Sequence, residues 1–431
     1  MKIKNTYINK VLQSKLIRST GVLLSGNVLA QAITLLAYPV ITRLYAPDEM
    51  GTFNLFVSIF SIFVLLANAE YHQVLVFHKE KKDLPAVMGV CVACVLLVSG
   101  VAWLTVPFSG KIAELFNAPN LRYWYWILPI YVAATALWNI CDSVLVRSKQ
   151  FRYISLYLVL LALLNAVLKI TLGYGGFGIG SLFVSALLSS VVVLVFVLLY
   201  AHAKEGIFNA YKERPNLLMC KTMAVLYSKF PTYSMTRKGV NLLSKALPVF
   251  ILSAHFGMTQ IGLFTMGLLL AHTPINVLCG SLYKTLFRHV SEKVAQGQPI
   301  LPIIKKYVGV VLLLGVPFFA LLYLILPDFT VLLLGEPWRA SGHYIRLMLP
   351  WLLAFSIFTV LDFLPELFNK QEGLLWFEII TLVLGVMALC VGVYVQNFVV
   401  ALALYLLMRF VMYVAGSIWL IRLARTYEEQ L

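Results

Sequence analysis

Apolar runs of roughly 20 residues follow one another along the whole chain. That is the length needed to cross a bilayer core of about 30 Å as a helix. The runs predict about twelve spans, near residues 19–42, 51–77, 86–108, 123–146, 154–173, 177–201, 224–256, 261–287, 307–327, 345–368, 373–394 and 398–421. Alternation of apolar and polar positions is absent, which argues against an outer-membrane barrel. The expected fold class is an all-α polytopic membrane protein. The first run is long and lacks a small-residue cleavage site, so it is expected to be kept as the first helix.

One stretch occurs twice. Thr42 to Phe53 reads TRLYAPDEMGTF, and Ser253 to Phe264 reads SAHFGMTQIGLF. Placing Gly51-x-Phe53 on Gly262-x-Phe264 gives an ungapped offset of 211 residues, about half the chain. Both copies lie where one long apolar run ends and the next begins. A membrane protein built from two related halves reads first as a transporter. The longest polar stretch, residues 202–222, divides six spans from six. The expected organisation is an N-terminal bundle over 1–201, a cytoplasmic linker over 202–222 and a C-terminal bundle over 223–431. An even number of spans per half makes the halves parallel repeats.

Composition fits this picture: 61% of the 431 residues are hydrophobic and only 12% charged. A net charge of +16 raises the question of nucleic acid, and the placement of the charges answers it. Lys2, Lys4, Lys10, Lys15 and Arg18 precede the first span, and Lys79, Lys81 and Lys82 follow the second. Arg147, Lys149 and Arg152 follow the fourth, and Lys204, Lys212, Arg214 and Lys221 fill the middle stretch. Lys293, Lys305 and Lys306 follow the eighth, and Arg422 and Arg425 come near the end. The alternate loops hold few: Arg43, Lys111, Arg122, Arg339 and Arg346. This is the positive-inside pattern, with both termini cytoplasmic and no nucleic-acid partner expected.

Cys91-x-x-Cys94 sits inside the third span without a second ligand pair, so it reads as structural, and no metal or cofactor is expected. Gly173-x-Gly175-x-x-Gly178 matches a dinucleotide-binding spacing but joins two apolar spans with no strand before it, so it reads as a turn. Tyr123, Trp124, Tyr125 and Trp126, with Trp338 and Tyr344, read as an interfacial belt.

The sharpest chemical signal lies in the seventh span. Ser234, Arg237, Lys238, Asn241, Ser244 and Lys245 recur at three- and four-residue steps and share one helix face. Charges at membrane depth are costly unless they face water or a partner. The first span carries a neutral counterpart: Asn27, Gln31, Thr34 and Tyr38. Under the offset, Asn27 falls on Lys238 and Thr34 on Lys245. The second span adds Asn54, Ser58 and Ser61, and the eighth adds Thr265, His272, Asn276 and Lys284, with Ser61 falling on His272. Four polar faces, two from each half, could thus converge on one cavity. Lys169 and Arg43 complete the candidate binding set. Asp142, Asp362, His272 and Glu70 are the candidates for proton or ion coupling.

A cationic cavity suits an anionic head group, because Lys and Arg donate to phosphate oxygens. Asn, Gln, Thr, Tyr and aromatic side chains suit sugar hydroxyls and rings. A lipid-linked sugar diphosphate combines charge, hydroxyls and an apolar tail. Moving its negative charge outward is favoured by an inside-negative potential, by about 2.3 kcal/mol per charge per 100 mV.

At the family level, Ser25-Gly26-Asn27 with Thr42-Arg43-Leu44-Tyr45-Ala46-Pro47-Asp48-Glu49-Met50-Gly51 resembles the first hairpin of Wzx-type polysaccharide repeat-unit flippases. These form the O-antigen exporter branch of the multidrug/oligosaccharidyl-lipid/polysaccharide exporter superfamily. Arg147-x-Lys149-x-Phe151 resembles their basic turn after the fourth helix. Lys229-Phe230-Pro231-x-Tyr233, then Asn241, Leu247-Pro248-Val249, Phe256-Gly257, Gly262-x-Phe264 and Pro274, resembles the start of their second half. Arg237-Lys238 is more basic than the small or polar residues usual there. The resemblance implies a MATE-like arrangement of twelve helices in two pseudo-symmetric six-helix bundles around a central cavity, working by alternating access. It implies an undecaprenyl-diphosphate-linked oligosaccharide as substrate and a bacterial inner membrane as location, with its lipids as surroundings. A polysaccharide polymerase and chain-length machinery are the implied protein partners.

Two other classes are weighed beside it. A small-molecule efflux antiporter of the multidrug branch would be expected to show acidic cavity residues, whereas the deepest stripe here is basic. A membrane glycosyltransferase or polymerase would need a sizeable outer loop or a catalytic acidic motif, and neither is found, so no enzyme activity is expected.

Overall fold

A bilayer core offers backbone groups no water, so spanning segments must satisfy their own hydrogen bonds. The computed structural model of the chain obeys that constraint: among the described residues every regular element is helical. The structure describes residues 15–206, 208–211 and 216–429. Lys2, Lys4, Lys10, Lys212 and Arg214 of the charge pattern lie outside the described residues.

The helices are α1 (Lys15–Leu44), α2 (Pro47–Asn68), α3 (Leu84–Thr105), α4 (Ile127–Arg147), α5 (Phe151–Tyr174) and α6 (Gly180–Glu205). A short α7 (Leu217–Leu226) precedes α8 (Met235–His255) and α9 (Met258–Ala295). Then come α10 (Leu301–Leu334), α11 (Arg339–Leu361), α12 (Gln371–Tyr394) and α13 (Phe398–Glu429). Eleven helices among the described residues are long and apolar enough to cross a membrane, against the twelve expected. The exception is α8, whose Arg237, Lys238 and Lys245 depress its hydropathy. The run expected to span 224–256 unbroken is in three pieces: the end of α7, a π-helical turn over Phe230–Ser234, and α8. Pro231 opens that turn, and having no N–H it cannot continue a regular helix from α7. The stretch taken as a linker also holds structure. Asn216 caps α7 by accepting from Leu218 N at 3.0 Å.

The chain divides into two compact units. One holds the described residues up to Tyr45 with Phe56–Leu242, the other Ala46–Leu55 with Leu243 onward. In the first, α5 packs on α1 and α6, and α4 on α3 and α6. Small residues allow the approach: a Cβ at Gly26 would collide with Ser155, and one at Gly173 with the Tyr45 hydroxyl. Trp138 stacks on Tyr157 at 3.3 Å and Phe60 on Tyr131 at 4.0 Å. Between α5 and α6, Gly176 and Gly178 take φ of 78° and 53°, so the glycine-rich spacing is a turn. A polar knot holds α7 against α3. His78 joins the Tyr227 hydroxyl at 2.7 Å and the Asp83 carboxylate at 3.1 Å. Arg147 donates to the carbonyls of Leu75 and His78 at 2.8 and 2.7 Å.

In the second unit α11 lies against α9, α10 and α13, and α12 against α13. Here the two copies of the repeated stretch meet. A Cβ on Gly51 would strike the Met258 carbonyl, and one on Gly262 the Pro47 carbonyl. Only glycine at both positions lets these helix starts touch backbone to backbone. One turn on, Asn54 donates to Thr265 Oγ1 at 2.8 Å, and these residues too are 211 apart. The offset read from the two motifs is therefore also a contact in space. Trp338 and Tyr344 are buried here, and Tyr125 in the first unit, which corrects their reading as interfacial belt. Tyr123 and Trp126 are exposed, as a belt requires. None of the most apolar stretch of α10 is buried, and leucines such as Leu313, Leu314 and Leu324 are exposed there, a surface whose composition suits lipid.

Candidate functional site

In the first unit the polar stripe of α1 is largely satisfied by itself. Gln31 donates to Asn27 at 3.2 Å, and Thr34 to the Ala30 carbonyl at 2.9 Å. Tyr38 is buried rather than displayed. Arg43 turns back on the Pro39 carbonyl at 2.5 Å. Lys169 is buried, and its carbonyl accepts from Tyr45 at 2.6 Å. Ser61 donates to the Val57 carbonyl at 2.7 Å, and Asp142 is half-buried on α4.

Glu70 stands out in this unit. It follows α2 in the left-handed region, with φ of 61°, and is buried. Its Oε2 accepts from Lys238 Nζ at 2.6 Å and from the Gln73 amide. The Lys238 ammonium is half-exposed while the Glu70 carboxyl is 3% exposed. The pair neutralises a carboxylate that burial would otherwise penalise. Arg237 and Asn241, on the same early part of α8, are exposed.

In the second unit Lys245 lies near a cluster that sequence spacing alone had not assembled. Arg409 on α13 donates to the hydroxyls of Tyr405 and Tyr413 at 2.7 and 3.0 Å. Its guanidinium sits 5.1 Å from the centre of the Trp351 ring, a cation–π distance. His272 stacks on Trp351 at 5.8 Å and lies 4.8 Å from Phe355, and Asn276 donates to His272 Nδ1 at 2.6 Å. Lys245 and Arg409 are both within electrostatic reach of His272. Glu378 is within reach of Lys245 and also of Asp362, which in turn is near Glu366. Arg409 Nε and the Trp351 indole N–H are buried and meet no acceptor among the described residues. Two orphan donors beside a cation are matched by a ligand that brings acceptor oxygens. Lys284 is exposed further along α9, away from these contacts. Among the described residues no group of three or more His, Cys, Asp or Glu could hold a metal.

The profile of the polysaccharide biosynthesis protein family matches residues 40–343. The chain belongs to that family. A curated relative is the succinoglycan biosynthesis transport protein ExoT of Rhizobium meliloti (strain 1021), 22% identical over 363 residues, 82% of this chain and 69% of that protein. Among solved structures, an inward-facing multidrug resistance MATE family transporter of the MOP superfamily is 14% identical. It superposes with a TM-score of 0.74 over 93% of this chain and 96% of that one. The lipid II flippase MurJ, in an inward closed conformation, is 10% identical, with a TM-score of 0.75 over 96% of this chain and 90% of that one. At such identities the likeness shows the fold: this polysaccharide biosynthesis protein is a multi-pass membrane protein with a MATE-like helical architecture.

Within this family member, the residues missed by sequence reasoning are Arg409, Tyr405, Tyr413 and Trp351. A signal was present on α13. Tyr405, Arg409 and Tyr413 recur at four-residue steps and so share a face. Trp351 had no such marker in an apolar helix.

Proposed function

We propose that the protein is a flippase that moves undecaprenyl-diphosphate-linked oligosaccharide repeat units, of O-antigen or capsule type, from the cytoplasmic to the periplasmic leaflet by alternating access. The observation that carries this reading is the Arg409 cluster. A guanidinium held by two tyrosines and a tryptophan, with Lys245 close by, offers charge to phosphate and ring faces to sugar. The chain's family supports it, as do relatives named for succinoglycan transport and for flipping lipid II. The proposal includes two bundles, 1–201 and 223–431, a bacterial inner membrane with both termini cytoplasmic, and no enzymatic step. It also includes the α1 and α8 stripes with Ser61, His272, Asn276, Lys284, Lys169 and Arg43 as binding positions. Asp142, Asp362, His272 and Glu70 are its coupling candidates, and a polymerase with chain-length machinery its partners.

A small-molecule efflux antiporter is the second reading, favoured by the likeness to the multidrug transporter and by the neighbouring carboxylates Asp362, Glu366 and Glu378. One experiment separates the two. Lipid-linked intermediates are isolated from a strain lacking the gene, and their sidedness is read with an impermeant sugar-modifying enzyme. Diphosphate-linked units trapped on the cytoplasmic face, with surface polymer lost, are expected for the flippase. Units that reach the outer face unpolymerised would point to a polymerase, and an unchanged lipid pool to efflux.

A further inference from the structure

At one end of the second unit the start of α10 and the end of α13 adjoin, where Leu301 N donates to Glu428 at 2.7 Å. Between them lies an open cavity of about 440 Å³, lined by Leu301, Lys305, Ile418, Ile421, Arg422 and Arg425. Its chemistry is graded along the helices. On α13, Ile418 and Arg422 share a face one turn apart, as do Ile421 and Arg425, so an apolar floor passes into a basic rim. On α10, which begins at this end, Lys305 lies about one turn in from Leu301. Arg425 is engaged by Glu429 at 3.1 Å, and Glu428 by the Leu301 amide. The Lys305 and Arg422 side chains are exposed and carry no ion pair among the described residues. The cavity also opens beside α10, the helix whose apolar stretch has no buried residue and a composition that suits lipid.

We propose that this cavity is a binding site for an anionic glycerophospholipid of the surrounding leaflet, with the headgroup phosphate between Lys305 and Arg422 and the acyl chains running past Ile418 along α10. Three cations above an apolar floor, at the level where helices leave the membrane, complement a phosphodiester joined to hydrocarbon. A sugar nucleotide or free anion would use the cations and leave Ile418 and Ile421 without a role. The site is separate from the Arg409 cluster and does not depend on the transport reading.

The test is native mass spectrometry of the purified full-length protein in detergent, titrated with phosphatidylglycerol or with phosphatidylethanolamine. The wild type is expected to retain phosphatidylglycerol at about tenfold lower concentration than phosphatidylethanolamine. In the variant carrying Lys305→Gln and Arg422→Gln that preference is expected to fall to within about twofold, with the thermal unfolding midpoint unchanged. A control pair, Lys79→Gln with Lys81→Gln, removes the same charge elsewhere and is expected to keep the preference. Equal retention of both lipids by the wild type, or equal loss in the control pair, would overturn the proposal. Competition by inorganic phosphate would move the site to a free anion. Competition by undecaprenyl diphosphate stronger than by phosphatidylglycerol would make it part of a substrate path. For a rim too perturbed to read, Ile418→Ala supplies the second variant: it keeps the cations and is expected to weaken retention of phosphatidylglycerol by shortening the apolar floor under its acyl chains, and undiminished retention there would count equally against the site.

Discussion

Lys238 and Lys245 stand about two turns apart on α8 and share its polar stripe. Lys238 meets the buried carboxylate of Glu70 at 2.6 Å. Lys245 forms no ion pair among the described residues, and its electrostatic neighbours are Arg409 first and Glu378 second. One charge is thus neutralised by a direct ion pair in its own unit, while the other has no such pair and stands near a second cation lined with aromatic rings, with the Glu378 carboxylate offsetting only part of that field. The difference teaches how to sort intramembrane charges. A lysine that offsets a buried acid chiefly holds the fold, whereas a lysine beside an arginine is costly until an anion arrives.

Removing the charge at the unpaired end should have the largest effect on transport. Arg409→Gln is expected to lower surface polysaccharide by at least about tenfold at native expression, since charge-assisted hydrogen bonds contribute roughly 1.5–3 kcal/mol. Quantifying polymer and membrane-inserted protein in the same cells checks it, and normal polymer with normal protein would remove Arg409 from the site. Lys245→Ala is expected to cost somewhat less, about five- to tenfold, with Lys245→Arg recovering most of it. Identical losses in the alanine and arginine variants would mean packing rather than charge.

At the paired end the expected deficit is in stability. Lys238→Ala leaves Glu70 buried without its cation and should destabilise by about 1–3 kcal/mol, seen as a lower unfolding midpoint in detergent. Adding Glu70→Gln to Lys238→Ala should restore part of that midpoint, because the buried charge goes with its partner. If Lys238→Ala instead cut transport as deeply as Lys245→Ala at an unchanged midpoint, the contrast between the two lysines would collapse. The smallest effect is expected where the repeats touch. Asn54→Ala should cost about 0.6 kcal/mol, the usual worth of a hydrogen bond between membrane helices. A double-mutant cycle with Thr265→Ala measures the pair directly.

Much of the helical layout was legible because the length of an apolar run and the absence of water at the backbone leave one solution. The doubled Gly-x-Phe motif was legible too, and its offset proved to be a contact between Gly51 and Gly262 and between Asn54 and Thr265. The stripe on α8 was visible as spacing, yet spacing could not tell that Lys238 has a carboxylate 168 residues away. Nor could it bring Trp351, His272 and Arg409 together from three helices.

The length and spacing of the apolar runs were thus enough, by themselves, to establish a helical membrane protein, because they are properties of neighbours along the chain. Which charges are neutralised, which aromatics are core rather than belt, and which donors stay open were decided by the tertiary structure. Those properties depend on what side chains distant in sequence place within a few ångströms, and local patterning carries no record of that distance.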